Sequence, residues 1–138
     1  RFKIYYGKQL SSFIKSSDII INILPNTKET KNFINTKFLS AMKKKSLLIN
    51  IGRGSTLNER DLIKHMKKNQ NFFASLDVFQ NEPLSRKNLL WSIPNINITP
   101  HVASITLINS AIDLIFERYT KYRKTKKIKS DVNLNKGY

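Results

Sequence analysis

The chain has 138 residues, a net charge of +16 and no cysteine. This length supplies one domain with a real core and falls short of two. Disulfide frameworks and thiolate metal sites are excluded, and no apolar run approaches the roughly 18–20 residues of a membrane-spanning helix.

The 25 Lys and Arg against 9 Asp and Glu raise the question of nucleic acid. The cations are spread along the whole chain, however, among frequent Asn and Ile, which is the mark of a compositional bias. The local runs at 43–45 and 121–129 fall at or near predicted helix ends, where cations suit the helix dipole. Neither a nucleic-acid nor a membrane partner is expected. The opening stretch, residues 1–6, is basic and aromatic, without a helix-start or signal-peptide pattern. It reads as the middle of a longer protein.

Four short apolar runs are predicted as strands, at 18–24, 46–51, 72–79 and 96–99. The first two are almost continuously apolar, as in strands buried on both faces of a parallel sheet. Between the first and second, Asn35 can cap a helix running through Phe38, Leu39 and Met42, with Ile34 placed to staple it. Between the second and third, Asn58 opens a helix to residue 68. Asp61 there makes a variant capping box, and Leu62, Ile63 and Met66 form an apolar face. A long helical pattern covers 103–122 through Ile105, Ile108, Ile112, Ile115 and Tyr119, followed by a polar tail from Lys124. Strand and helix alternate at the spacing of βαβ units, so the predicted class is α/β with a parallel sheet flanked by helices.

Ligands of such sheets bind beyond the carboxyl ends of the strands. The residues there are Leu24-Pro25 with Thr27 and Thr30, then Gly52-Arg53-Gly54, then Asp77 with Glu82, then Pro100-His101. Arg53 between glycines could cap a turn, or it could hold a carboxylate through two parallel bonds. A lone histidine is more often structural, but the place of His101 after a strand favours catalysis. Glu82 gains meaning if it pairs with His101, fixing its tautomer and keeping it ready to donate a proton. Asp77, near the end of a buried strand, needs a partner, either a backbone amide or a ligand amide. His65, on a helix among lysines, reads as solvated surface.

These segments resemble motifs of the D-2-hydroxyacid dehydrogenase family. Ile49-Asn50-Ile51-Gly52-Arg53-Gly54 resembles its Asn-x-x-Arg-Gly motif. Residues 76–84 resemble Asp-Val-Phe-x-x-Glu-Pro-Leu, and Thr99-Pro100-His101 resembles Thr-Pro-His. Leu24-Pro25 with Thr27 and Thr30 resembles the cofactor-side Pro-x-Thr-x-x-Thr turn. The resemblance covers essentially the whole chain. Narrower features resemble a branch that reduces glyoxylate and hydroxypyruvate with NADPH: Leu24-Pro25-Asn26-Thr27, Leu90-Trp91, residues 101–106 and Gly137-Tyr138.

The resemblance implies an incomplete Rossmann-like domain over residues 1–123, including the final helix. The tail, 124–138, would return to a substrate domain outside this chain. It implies Arg53 on the substrate carboxylate, His101 as proton donor and Glu82 holding His101. It also implies Leu24, Pro25, Thr30, Ile51, Gly52 and Asp77 around the nicotinamide of NADPH, with NADH as a second choice. Further implications are a small 2-oxo acid substrate, a homodimer at full length, a cytoplasmic setting and no metal. The family's Gly-x-Gly-x-x-Gly turn has no match, since Gly7 stands alone. The isolated 138 residues are therefore expected to bind NADPH weakly or not at all and to turn over no substrate. The alternatives are another 2-oxo acid reductase of the family such as a phosphoglycerate dehydrogenase, an NAD-binding corepressor, and a truncated remnant without function.

Overall fold

The computed structural model describes residues 3–104, 107–127 and 133. Residues 1–103 form one compact unit and residues 104–138 a second.

The first unit carries a four-stranded parallel sheet in the order β1 (Ile19–Asn22), β2 (Leu47–Asn50), β3 (Phe73–Leu76) and β4 (Ile96–Ile98). Helix α1 (Leu10–Ser16) precedes β1, α2 (Thr36–Ala41) links β1 to β2, and α3 (Glu59–Lys68) links β2 to β3. The sequence reading places four strands and both crossover helices correctly and misses α1. That helix lacks a side-chain cap and an acidic first turn, so it carries no start signal.

Each strand is shorter than its apolar run. The ladder continues only one residue past β2, β3 and β4, through Ile51 N–H to Asn22 O, Asp77 N–H to Asn50 O and Thr99 N–H to Leu76 O. There the asparagine side chains take over, Asn22 Oδ1 accepting from Leu24 N–H and Asn50 Oδ1 from Gly52 N–H. A side chain that bonds backbone two residues on ends a strand and starts a loop.

The core lies on one face of the sheet. Ile20, Leu48, Ala74 and Leu76 pack there with Ile14 of α1, Phe38 and Leu39 of α2, and Leu62 and Met66 of α3. On the other face Ile19 and Ile21 are 56 % exposed, Phe73 is 48 % exposed, and Leu47 and Ile49 are half-buried. Burial on both faces was the expectation, and within this unit it holds for one. All three α-helices of the unit contribute to the same core, so none of the helices described in this unit covers the odd-numbered residues of β1.

The helix caps follow the sequence closely. Asn35 accepts from Lys37 N–H and Phe38 N–H, and Asn58 accepts from Asp61 N–H. The capping box at α3 is only half made. Asp61 Oδ2 accepts from Thr36 N–H at the start of α2, while Asn58 N–H donates to Ile34 O. Asp61 thus ties α3 to α2 rather than closing its own cap.

His65 departs from its expected place on solvated surface. Its ring stands edge-on to Phe72, centroids 4.7 Å apart, with Nε2 buried and unpartnered. Burial lowers its pKa from the usual 6.5. The lysines around it, Lys64, Lys67 and Lys68, stay exposed, because at this point the helix turns its i, i+3 row (Leu62, His65) inward.

The second unit contains α4 (Ile108–Thr125), which ends at Lys126 in a left-handed conformation (φ 54°). It starts later than the predicted residue 103. Its predicted apolar row, Ile108, Ile112, Ile115 and Tyr119, is formed at helical spacing and exposed. Ile105 and the tail beyond Lys127, apart from Asn133, lie outside the described residues.

Candidate active site

Four loops leave the carboxyl edge of the sheet, and the residues singled out in sequence sit on them. The loop after β1 holds Leu24, Pro25 and Thr30. Thr30 faces inward: its hydroxyl donates to Pro25 O (2.6 Å) and accepts from Thr27 N–H (2.8 Å). It shapes the turn that presents Leu24 and Pro25. Beside them Ile23 and Ile51 are 72 % and 41 % exposed, forming an apolar ledge.

The loop after β2 carries Arg53, exposed, with Nη1 donating to Gly52 O at 2.8 Å. Two glycines fix its path by space, not by left-handed backbone. A Cβ on Gly52 would come within 2.8 Å of Leu24 O, and one on Gly54 within 1.9 Å of the Phe79 backbone. Below lies a buried polar network that the sequence reading missed. Asn22 Nδ2 donates to Asn50 Oδ1 (2.8 Å) and to Thr56 Oγ1 (2.6 Å), and the Thr56 hydroxyl donates to Arg53 O (2.6 Å). Asn50 Nδ2 is buried and unpartnered. The signal was present in the repeated Ile-Asn at the ends of the first two apolar runs, which the register sets side by side.

The loop after β3 carries Asp77 and Glu82, and the loop after β4 carries His101. Asp77 is 3 % exposed, and its carboxylate accepts from the Thr99 hydroxyl, Val102 N–H and Ala103 N–H, the latter two at 2.9 Å. Burial pushes its pKa up, but the hydrogen bonds from Thr99, Ala103 and Val102 outweigh this and leave it below the usual 3.8. About one of four acceptor positions remains for a ligand. Of the two options left open in sequence, the backbone amides are the partners observed.

His101 stands in the left-handed region (φ 57°), uncommon for a side-chain-bearing residue. The Asp77 bonds to the two following amides hold it there. Its Nδ1 lies 2.8 Å from Glu82 Oε2, while Glu82 Oε1 accepts from Phe79 N–H at 2.9 Å. Burial raises the Glu82 pKa, and the His101 and Phe79 hydrogen bonds more than reverse this, so it lies below the usual 4.5. Both carboxylates are thus held ionised, and Glu82 faces the imidazole as a fixed negative charge.

Arg53, Glu82 and His101 line one cleft of about 250 Å³, together with Asn26 and Ser55. The three residues picked from separate motifs converge, while Asp77 is buried beneath the His101 loop and Thr30 is half-buried in the loop after β1. An imidazole backed by a carboxylate can transfer a proton, and a guanidinium in the same cleft can hold an anion. The described residues include no group of three or more His, Asp or Glu able to hold a metal. No helix among them is long and apolar enough to cross a membrane.

Residues 2–103 match the model of the D-isomer specific 2-hydroxyacid dehydrogenase NAD-binding domain. A glyoxylate/hydroxypyruvate reductase A of Photorhabdus laumondii is 41 % identical over 135 residues, 97 % of this chain and 43 % of the relative. That of Citrobacter koseri is 34 % identical over 132 residues, 96 % of this chain and 42 % of the relative. The chain therefore spans less than half the length of these relatives.

Among solved structures, an NADPH-dependent glyoxylate/hydroxypyruvate reductase of Sinorhizobium meliloti, in complex with NADP and sulfate, superposes with a TM-score of 0.88 at 26 % identity. The match covers 97 % of this chain and 44 % of that one. A D-isomer specific 2-hydroxyacid dehydrogenase of Xanthobacter autotrophicus, in complex with NADPH and MES, gives 0.86 at 31 % identity over 95 % and 54 %. The chain belongs to the D-isomer specific 2-hydroxyacid dehydrogenase family, within its NAD-binding domain.

Proposed function

We propose that this domain serves the NADPH-dependent reduction of glyoxylate to glycolate and of hydroxypyruvate to glycerate, as part of a protein of its relatives' full length. The observation that carries the reading is the Glu82–His101 pair, 2.8 Å apart, opening on the same cleft as Arg53.

Arg53 binds the substrate carboxylate through paired N–H donors. With Nδ1 turned to Glu82, His101 Nε2 faces the carbonyl oxygen and gives it a proton. The cofactor supplies the hydride that the carbonyl carbon receives. Leu24, Pro25, Ile51 and Gly52 line the nicotinamide, and the remaining acceptor of Asp77 takes its amide. Thr30 acts through Pro25, whose carbonyl it fixes.

The test is glyoxylate-dependent NADPH oxidation by the natural gene product and its variants. Arg53→Lys should raise KM by roughly tenfold or more, since a single ammonium cannot make the paired bonds. Glu82→Gln should lower kcat and move the pH–rate profile, because the ring loses the charge that keeps it a donor. A profile that stays in place in Glu82→Gln removes the role given to the pair. Absence of any glyoxylate-dependent oxidation removes the reading.

A further inference from the structure

Between α2 and α3 lies a hollow of about 430 Å³ that shares no residue with the cleft of Arg53 and His101. Lys44, on the bend leading into β2, lines it together with Lys64 and Lys68 of α3. All three lysines are exposed, and none makes an ion pair among the described residues. The acid in the wall is Asp61, whose Oδ2 already accepts from Thr36 N–H at 2.9 Å.

A helix end attracts cations, and that accounts for Lys68 in the last turn of α3. It does not account for Lys64, which precedes that turn, or for Lys44, which lies outside any helix. Like charges gathered on one hollow repel each other, and a bound anion turns the repulsion into attraction. Neutral donors stand beside them. The hydroxyls of Thr36 and Ser40 and the side-chain amide of Asn69 line the same hollow and bond no protein group among the described residues. Ammonium groups, hydroxyls and an amide can all donate to the oxygens of one anion. The volume is that of a small-molecule site.

We propose that the hollow between α2 and α3 binds a small phosphorylated compound carrying two or more negative charges, at a site separate from the catalytic cleft. The inference does not depend on the proposed function. A nucleic-acid strand fits less well, because its backbone is tracked by cations along an open groove, whereas these are drawn together in a hollow between two helices.

The probe is inorganic pyrophosphate, added to the natural gene product at constant ionic strength and observed through His65, which lines the hollow with its ring edge-on to Phe72. Burial lowers the pKa of this ring, and the charged groups lining the hollow with it are Lys44, Lys64, Lys68 and Asp61. A neighbouring anion favours the protonated imidazole, so the pH midpoint of the His65 ring signals in NMR should rise. Replacing both Lys64→Gln and Lys68→Gln keeps good helix formers on α3 and should weaken pyrophosphate roughly tenfold or more. Lys44→Gln, outside the helices, should weaken it in the same direction. A single-stranded DNA oligonucleotide at equal phosphate concentration should compete poorly.

A His65 midpoint that pyrophosphate leaves in place overturns the site. So does an equal rise with chloride at the same ionic strength, which marks general screening. Unchanged pyrophosphate affinity in the double variant and in Lys44→Gln likewise overturns it. An oligonucleotide that moves His65 and displaces pyrophosphate at lower phosphate concentration replaces the small-molecule site with a nucleic-acid surface.

Discussion

The two halves of the candidate site are held by different forces. The Arg53 loop rests on neutral contacts: two glycines pressed against neighbouring backbone, and the Asn22–Asn50–Thr56 network beneath. The His101 loop rests on two carboxylates, Asp77 under the backbone and Glu82 beside the ring. The Arg53 loop is therefore held by groups that do not titrate in the ordinary range, whereas placement of the His101 ring depends on charge. Acid should separate the halves, and so should substitutions chosen from each side.

The largest effect is expected where the halves touch. Gly54→Ala puts a Cβ into the backbone of Phe79, whose amide also holds Glu82. Neither partner is a flexible side chain, so the backbone itself must move. Overpacking of this kind costs ~3 kcal/mol or more. Chemical denaturation should show a lowered midpoint, and NMR should show shifts on both Arg53 and His101. A stability within ~0.5 kcal/mol of the parent would mean that the two loops are not in the contact described.

Asp77→Asn comes next and should be confined to the His101 half. The amide offers one acceptor oxygen where the carboxylate offers two, so Val102 N–H or Ala103 N–H loses its partner and faces another donor. Leaving a buried donor unsatisfied costs ~1–3 kcal/mol. The same interaction gives the pH dependence. The pKa values of Asp77 and Glu82 are lowered on folding from the usual 3.8 and 4.5. Their stabilisation is thus complete above those values and is lost as pH falls below them through the lower folded values. Amide exchange at Val102 and Ala103 should show less protection in that acid range, while Leu24 and Gly52 keep theirs. Equal loss in both loops would erase the distinction drawn between the halves.

How far this division could be read from sequence depends on what kind of residue does the holding. The gathering of Arg53, Glu82 and His101 in one cleft was legible because each comes after an apolar run, and parallel topology brings the loops after such runs to one edge. The strands were legible for the same reason, though the runs overstated their length and suggested cover on both faces. An apolar run records that a residue can be buried; the arrangement of helices decides whether it is. His65 and α1 were missed in the same way: lysines on either side hid an inward-facing ring, and a helix without a cap left no start signal. The repeated Ile-Asn hinted at the pairing of Asn22 with Asn50, but the part of Thr56 left no signal, because a hydrogen-bond network depends on register, which spacing along one chain does not give.

Thr56→Val is the smallest and sharpest test of the neutral half. The two side chains are nearly equal in volume, so packing is kept while the hydroxyl's bonds to Asn22 and Arg53 are lost. Asn22 Nδ2 keeps its bond to Asn50, and the Arg53 carbonyl still accepts from Thr56 N–H at 3.1 Å. No group is stranded outright, and the cost should be ~1 kcal/mol. It should be the same at pH 7 as in acid, since no titrating group takes part. In the proposed reaction the loosened Arg53 would raise KM for the 2-oxo acid and leave kcat and the pH profile near those of the parent. A shifted profile would show instead that the network reaches His101, and that the site is held as one piece.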